Sequence, residues 1–246
     1  MNSIPLFGVL VLNRADLLLR LFESIDYSID EIVIVNNSTK PDVAEAIEKI
    51  KINFPQTTVY TPGHNMGVGP GWNWIYKSFD KPWYLIAGSD VQFTPGDLEK
   101  MAAAAWDEHL NYGHIYGNLE MNAFVTTKLN LEVVGYFDEN FYPAYLEDCD
   151  MKWRMKVLKI GTLVIGGTNI IHGEAPTWGS HTIYSDKRLK FLNSITHQNG
   201  WNYYERKWGG QNDREIFSTP FNNPKIHPKE WIFDPELRKL NDIWGV

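Results

Sequence analysis

Apolar runs alternate with helical patterns along the first 110 residues of the chain. A continuous apolar, β-branched run at 6–12 predicts a strand buried on both faces, and a second buried strand is predicted at 31–38. Further strands are predicted at 57–62 and 82–90. Amphipathic stretches predict the helices that follow them, at 14–25, 41–54, 69–79 and 94–109. This βαβαβαβα order predicts an α/β fold with a mostly parallel sheet flanked by helices.

An acidic helix is predicted in the second half of the chain, after a mixture of short strands and turns at 113–141. It begins within 145–155 (YLEDCDMKWRM) and is expected to run to Lys159 or Ile160. Gly161 follows as the predicted C-cap, because glycine adopts the left-handed conformation that ends many helices.

The last third of the chain differs from the rest in composition. A strand pair is predicted near 162–173, and beyond it aliphatic residues become rare while aromatic residues dominate. The three prolines of 222–236 predict extended chain that wraps around the body. We therefore predict a core over 1–175 and an aromatic-rich C-terminal extension over 176–246 that packs on it, either on the side of a second substrate or as an oligomer contact.

Charge and cysteine content exclude several classes of protein. The 246 residues carry a net charge of −7, so no broad basic surface is expected for nucleic acid or an anionic membrane. The single cysteine, Cys149, excludes a disulfide framework and a cysteine zinc site. No apolar run reaches the length of a membrane span, so we expect no stable membrane insertion. The first apolar run resembles a strand more than a signal peptide, which predicts a cytoplasmic protein.

Polar residues follow the predicted strands. They are LNR (12–14), NNS (36–38), HNMGVGPG (64–71) and GSD (88–90). Ligands of such sheets bind at the carboxyl ends of the strands, so these residues are candidates for a binding site. On the residues alone, the asparagine stretch favours a plain turn, and the glycine stretch fits a turn without a ligand as well as a binding loop.

The acids of the predicted helix also have two interpretations. Glu147, Asp148 and Asp150 lie in its first turn, where each carboxylate gains about 0.3–1 kcal/mol from the helix dipole. Asp150 and Arg154 are spaced as an i,i+4 ion pair, which favours a structural role. An ionised carboxylate is also suited to accept a proton in catalysis.

Taken in order, VLVLNR, IVIVNNS, HNMGVGPGWN, YLIAGSDVQFTPGDLEKM, the EDCDMKWR segment and IIHG resemble the GT-A glycosyltransferases of family 2. The resemblance covers about residues 4–175. It implies a GT-A fold and inverting transfer of a sugar from a nucleotide-diphosphate donor to a hydroxyl group. It also implies a set of residues that bind the nucleotide sugar: Leu12, Asn13, Arg14, Asn37, Asn65, Asn73, Ser89, Asp90 and Val91.

The resemblance implies a divalent metal, Mg²⁺ or Mn²⁺, that neutralises the leaving diphosphate. GSDV occupies the place of the DxD-type motif, but Gly88 replaces its first acid and only Asp90 remains as a carboxylate. His172 matches the position of a second metal ligand. The departure at Gly88 weakens the expectation of strong metal binding.

The same resemblance assigns the catalytic base. Asp148, the second acid of EDCD, would take the proton of the acceptor hydroxyl, and Glu147 would orient it or hold the acceptor. Trp178 and Trp201 are candidates for stacking on the acceptor. Cys149 lies between Asp148 and Asp150, whose charges oppose a thiolate, so we expect it to be a bystander.

Several alternatives stay open at this point. The donor is expected to carry UDP or dTDP, and the acceptor to be a cell-surface glycan. A phage or viral enzyme that glycosylates hydroxymethylated DNA in the host cytoplasm is a minority alternative, and a non-catalytic nucleotide- or glycan-binding module is another. A nucleotidyltransferase is disfavoured, because no glycine loop follows the first strand. The oligomeric state is open.

Overall fold

The computed structural model describes residues 2–173, 183 and 186–243. The strands of this part are β1 Phe7–Val11, β2 Ile32–Asn36, β3 Thr57–Tyr60, β4 Trp83–Gly88, β5 Val91–Gln92, β6 His114–Tyr116, β7 Ala123–Thr127, β8 Thr162–Val164 and β9 Ile171–His172. The helices are α1 Ala15–Glu23, α2 Pro41–Asn53, α3 Val68–Ser78, α4 Asp97–Glu108, α5 Lys128–Val133, α6 Glu147–Val157, α7 Lys187–Trp208 and α8 Pro235–Asn241. Short 3₁₀ turns lie at Glu120–Asn122 and Pro220–Asn222.

Seven strands form the main sheet of the described residues, in the order β3-β2-β1-β4-β7-β6-β8. Neighbouring strands pair in parallel except at β7, which is antiparallel to both β4 and β6. The strands β5 and β9 form a separate antiparallel pair. The predicted α/β class and the mostly parallel sheet are therefore confirmed.

Alternate residues of the central strands serve two hydrophobic cores. Phe7, Val9 and Val11 of β1 face the core formed with α1, α2 and α4. Val33 and Val35 of β2 face the opposite core, formed with α3 and α6. Both faces are covered, which is why these strands are continuous apolar runs and not alternating ones.

Two local predictions were wrong. Helix α6 ends at Val157, and Lys159 takes the left-handed conformation with φ 58°, so Gly161 is not its C-cap. The two strands predicted near 162–173 form, but β8 pairs with β6 and β9 with β5. The strands β8 and β9 do not pair with each other. Each pairs instead with a strand formed by residues that lie much earlier in the chain.

Three C-terminal aromatic residues, Tyr203, Tyr204 and Trp208, are core material, while Phe191, Phe221 and Phe233 are exposed. Helix α7 begins at an Asp186 cap, whose side chain accepts from the backbone N–H groups of Arg188 and Leu189, and ends at Gly209 with φ 75°. Its Tyr204 and Trp208 are buried against residues that flank the start of α6. Along the described ranges, no helix combines the length and the apolar character that a membrane crossing requires.

Candidate active site

A cavity of about 450 Å³ opens at the carboxyl ends of β1, β2 and β4 and is bounded on its far side by the start of α6. The register explains why these strand ends meet: Val11 is paired with Asn36, and Leu10 with Gly88. The predicted site residues that line the cavity are Leu12, Asn37, Asn65, Ser89, Asp90, Glu147, Asp148 and His172.

Other residues predicted to bind the nucleotide sugar do not line this cavity. Asn13 is buried, and Arg14 forms an ion pair with Asp16 at 2.7 Å. Val91 is fully buried in the hydrophobic core. Asn73 is also fully buried, and it donates to the backbone oxygen of Phe137 at 2.8 Å, so it braces that segment and does not face the cavity.

The glycine-rich loop is held by the two asparagines that line the cavity. The Oδ1 atom of Asn37 accepts from the N–H of Met66 at 3.2 Å, and that of Asn65 accepts from the N–H of Gly67 at 3.0 Å. Gly67 itself has φ 89°, and a Cβ there would lie 2.8 Å from the Tyr142 ring. Only glycine satisfies both the backbone conformation and the close approach.

Asp90 and His172 meet through the small β5–β9 sheet. Val91 is paired with His172, and the Nε2 atom of His172 lies 3.3 Å from Oδ1 of Asp90. Arg20 on α1 donates from Nη2 to the backbone oxygen of Gly173 at 2.7 Å and to that of Asp90 at 3.3 Å. The arginine therefore ties together the two segments that carry the candidate metal ligands.

A steric contact explains why glycine occupies position 88, where the strict motif has an acid. A Cβ at this position would lie 2.9 Å from Oδ1 of Asp90. The missing side chain thus leaves room for the Asp90 carboxylate in its present position. No group of three or more His, Cys, Asp or Glu residues suited to a metal ion occurs in the described ranges.

The acid pair is presented by an unusual turn. Tyr145 and Leu146 both have positive φ, 78° and 74°, immediately before α6 begins at Glu147. Consecutive non-glycine residues in this region are costly, about 1–3 kcal/mol each, and such strain clusters at functional sites. The turn starts the helix so that both Glu147 and Asp148 reach the cavity wall.

Glu147 and Cys149 both have perturbed acidity. Burial, and then the neighbouring Asp148 carboxylate, raise the pKa of Glu147 well above its usual value. The Oε2 atom of Glu147 is buried and has no hydrogen-bond partner among the described residues. Burial and Asp148 also raise the pKa of the Cys149 thiol, and Cys149 does not line the cavity, in agreement with a bystander role.

An aromatic series leads from the cavity to the predicted acceptor residue Trp201. The ring of Tyr145, which lines the cavity, lies 5.3 Å from that of His197 on α7. His197 in turn lies 6.0 Å from Trp201, which does not line the cavity itself. Trp178, the other predicted acceptor residue, falls outside the described residues.

The described lining of the cavity is acidic. It contains four carboxylates, those of Asp90, Glu120, Glu147 and Asp148, and no lysine or arginine. The described lining therefore offers no basic side chain to balance the charge of a bound diphosphate.

Three residues of the site were not identified from the sequence. Arg20 acts on a backbone group 153 positions away, and no local pattern marks such a contact. Glu120 lines the cavity and forms an ion pair with Lys152. Tyr145 directly precedes the acidic segment, so its position beside LEDCD was a signal that could have been used.

Solved structures define the class of protein. A mannosyltransferase from Pyrobaculum calidifontis, PcManGT in complex with GDP-Man and Mn²⁺, superposes with a TM-score of 0.60 at 13% identity, over 80% of this chain and 63% of that one. S. aureus TarS 1-349 superposes with a TM-score of 0.55 at 16% identity, over 83% of this chain and 73% of that one. With its sheet topology, this likeness shows that the protein has a GT-A-like α/β fold.

The family profile "Glycosyl transferase family 2" matches residues 7–159, more than half of the chain. The chain therefore belongs to glycosyl transferase family 2. A protein described as a galactofuranosyl glycosyltransferase from Leishmania donovani is 47% identical over 200 residues. The match covers 72% of this chain and 44% of that relative, so the chain spans less than half of the relative's length.

Proposed function

We propose that the protein transfers a galactofuranosyl residue from a nucleotide-diphosphate donor to a glycan hydroxyl, with inversion at the anomeric carbon. The observation that carries the proposal is that one acidic cavity holds both Asp148 and the Asp90–His172 pair. The sugar is taken from the name of the Leishmania relative. UDP is the preferred nucleotide and dTDP the alternative, while the GDP-Man bound to the mannosyltransferase neighbour makes GDP a third candidate to test.

The proposed reaction is a single displacement. The acceptor oxygen attacks the anomeric carbon while the bond from that carbon to the diphosphate oxygen breaks, and the nucleoside diphosphate leaves with the electron pair. Asp148 takes the proton that the acceptor hydroxyl loses. Glu147 has a raised pKa and a buried oxygen without a partner, which suits it to hold a hydroxyl group of the acceptor.

A divalent cation fits the residues beside the donor end. Two ligands on one such cation lie about 3 Å apart when each bond is about 2.1 Å, and the Asp90 and His172 atoms are 3.3 Å apart. When bound, the cation would neutralise the leaving diphosphate, a task for which the described lining offers no basic side chain. Asp90 and His172 are the residues we propose to hold it.

The acceptor is proposed to be a neutral glycan. The carboxylates of Asp90, Glu120 and Asp148 in the lining repel a phosphodiester backbone, which argues against hydroxymethylated DNA. The series Tyr145–His197–Trp201 offers flat apolar faces of the kind on which sugar rings stack. We place the acceptor on this side of the cavity, opposite the strand ends.

A thermal-shift panel tests the donor part of the proposal. UDP-galactofuranose, UDP-galactopyranose, a dTDP-sugar and GDP-mannose would each be added with Mn²⁺ and with EDTA. A donor at a hundred times its Kd is expected to raise Tm by about 5–10 °C. The expected result is a shift with UDP-galactofuranose and Mn²⁺ that EDTA abolishes.

The other outcomes decide between the alternatives. A shift that survives EDTA would remove the metal from the proposal and leave the transferase. A shift only with dTDP or GDP would change the donor. If the protein binds a donor but transfers no sugar to any glycan and produces no free nucleotide, the non-catalytic binding module becomes the better description.

A further inference from the structure

Four fully buried charges lie directly behind the proposed catalytic acids. We name them the charge cluster: Asp138, Asp150, Arg154 and Lys207. The two carboxylates and two cations balance each other, so the cluster is neutral as a whole. Each side chain has no exposed area, although lysine and arginine are almost never buried unless they are paired.

Lys207 is the member that joins separate parts of the chain. Its Nζ atom lies 2.5 Å from Oδ1 of Asp150 on α6 and 2.8 Å from Oδ2 of Asp138 in the segment before α6. Asp150 is also bonded to Arg154 at 2.8 Å and to the indole N–H of Trp208 at 2.8 Å. Every carboxylate oxygen of Asp150 is thereby held by α6 itself or by α7.

The segment that carries Asp138 is connected to the donor side. Asn73 on α3 donates to the backbone oxygen of Phe137 at 2.8 Å and accepts from its N–H at 2.9 Å. Helix α3 begins at the glycine-rich loop that lines the cavity. A continuous series of contacts thus runs from the donor loop through Asn73 and Asp138 to Lys207, and from there to α6.

The charges around Asp150 favour its ionised form. Burial by itself raises the pKa of Asp150, but the charges of Lys207 and Arg154 outweigh it and lower the pKa below its usual value. The carboxylate can therefore accept the bonds from Lys207, Arg154 and Trp208 as an anion. Asp150 lies two positions after Asp148 in the same helical turn, so whatever holds Asp150 also limits the movement of Asp148.

We infer that Lys207 is a positioning residue for catalysis: it sets the place of the helix start that carries Asp148 relative to the donor loop. This inference rests on the proposed function and adds to it a residue outside the family match, which ends at residue 159. Lys207 does not line the cavity and touches no reacting atom. It acts through Asp150 and Asp138.

The test compares Lys207→Met with Lys187→Met, a matched change at an exposed position at the start of the same helix. The expected result for Lys207→Met is a loss of about 10²-fold in kcat per folded molecule, the typical cost of a misplacement near 1 Å. Donor Kd should be unchanged, because the bonds of Asn37, Asn65 and Asn73 that hold the donor loop and α3 do not involve Lys207. A role in folding alone would lower the folded fraction and leave kcat per folded molecule intact.

A second variant covers the case in which the single one does not fold. Asp138→Asn combined with Lys207→Met removes one charge of each sign and leaves the ion pair of Asp150 with Arg154 in place. The cluster stays neutral while the bridge to α6 is lost. The expected result is a folded protein with normal donor Kd and low kcat. Wild-type kcat in this double variant would overturn the inference.

Hydrogen exchange gives a readout that does not depend on turnover. Amides in the first turn of α6 should exchange faster in the double variant than in wild type and in Lys187→Met, while those of β1 and β4 should not. Unchanged exchange in that turn would overturn the inference. If the wild-type protein transfers no sugar, the proposed function fails on its own, and the exchange result still decides the role of Lys207.

Discussion

The proposed donor side of the cavity and the proposed base side, which carries Asp148, are built in different ways. On the donor side, Leu12, Asn37 and Ser89 each follow a strand of the parallel sheet, and the pairing of neighbouring strands brings them together. On the base side, Asp148 lies at the start of a helix whose buried carboxylate, Asp150, is held by a lysine 57 positions later. The donor side is thus formed by residues that directly follow strands. The position of Asp148 depends on a contact of its helix with a residue far away in the sequence.

This difference has a physical basis. Parallel strands place their carboxyl ends at one edge of the sheet whatever the side chains there are. A helix start has no such constraint, and its direction is decided by what its buried face contacts. The turn at Tyr145 and Leu146, with positive φ at both residues, is stable only because the surrounding contacts hold it. Substitutions on the base side should therefore disturb the donor side less than substitutions on the donor side disturb the base side.

The largest effect is expected for Asp148→Asn. Loss of the proton acceptor should lower kcat by about 10²–10⁴-fold, while donor Kd and Tm stay at their wild-type values because the shape is kept. Steady-state kinetics with saturating donor, together with a donor titration, measure this. Asp107→Asn, an exposed change on α4, serves as control. Donor affinity that falls together with kcat would show that the two sides are not separable.

Asp90→Ala tests the donor side alone. Metal-dependent donor affinity should fall at least about tenfold, because one of two ligands to the cation is removed. His172→Ala should behave in the same way, since the two side chains lie 3.3 Å apart. Donor titrations with Mn²⁺ and with EDTA measure the effect. The assignment is wrong if Asp90→Ala binds donor as tightly as wild type does under both conditions.

Glu147→Gln tests whether the buried carboxylate of Glu147 lowers the stability of the folded protein. The pKa of Glu147 is raised above its ordinary value of 4.5, so the folded state favours the protonated acid. The stability that this gives is fully present below the unfolded pKa and is lost as pH rises through the folded pKa. At pH 7 the amide should therefore be more stable than wild type by about 0.5–2 kcal/mol, with a lower rate of transfer.

Thermal unfolding from pH 4 to pH 8 measures this difference, which should vanish at the acidic end. Glu99→Gln, at an exposed position of α4, should show no such dependence on pH. A Glu147→Gln variant that is less stable than wild type at pH 7 would contradict the interpretation of Glu147 as a buried, poorly stabilised carboxylate.

The smallest effect is expected for Cys149→Ser. Burial and Asp148 raise the pKa of the thiol, so little thiolate is present to react. Transfer rate and donor Kd should stay at wild-type values, and a thiol reagent should react slowly with the native protein. A large loss of kcat in Cys149→Ser would mean that Cys149 contributes to the base side of the cavity in addition to Glu147 and Asp148.

Much of the donor side was predictable from the chain. The eight predicted strands and helices of the first 110 residues form in the predicted order, and the α/β fold is confirmed, but the short strand β5 between β4 and α4 was not predicted. Three consecutive residues were predicted to bind the donor, and the structure places them differently. Leu12 lines the cavity, Asn13 is buried and Arg14 pairs with Asp16. The sequence shows where a strand ends, but the backbone conformation in the fold decides which of the following side chains faces the cavity.

The C-terminal third was less predictable. Its aromatic content alone does not separate an acceptor side from packing, and in the structure Tyr203, Tyr204 and Trp208 are buried. Asp186 and Gly209 are the cap residues that mark both ends of α7 in the sequence. What they do not reveal is the partner of Lys207, since a buried ion pair leaves no local pattern.

The sequence by itself determined the alternation of strands and helices, the polar strand ends and the acidic helix start, because each depends on residues that are close together in the chain. Only the tertiary structure decided that Asp90 meets His172, that Arg20 joins their two segments, and that Lys207 lies against Asp150. These contacts join residues far apart in sequence. They form because burying a charge is favourable only where the fold supplies a partner.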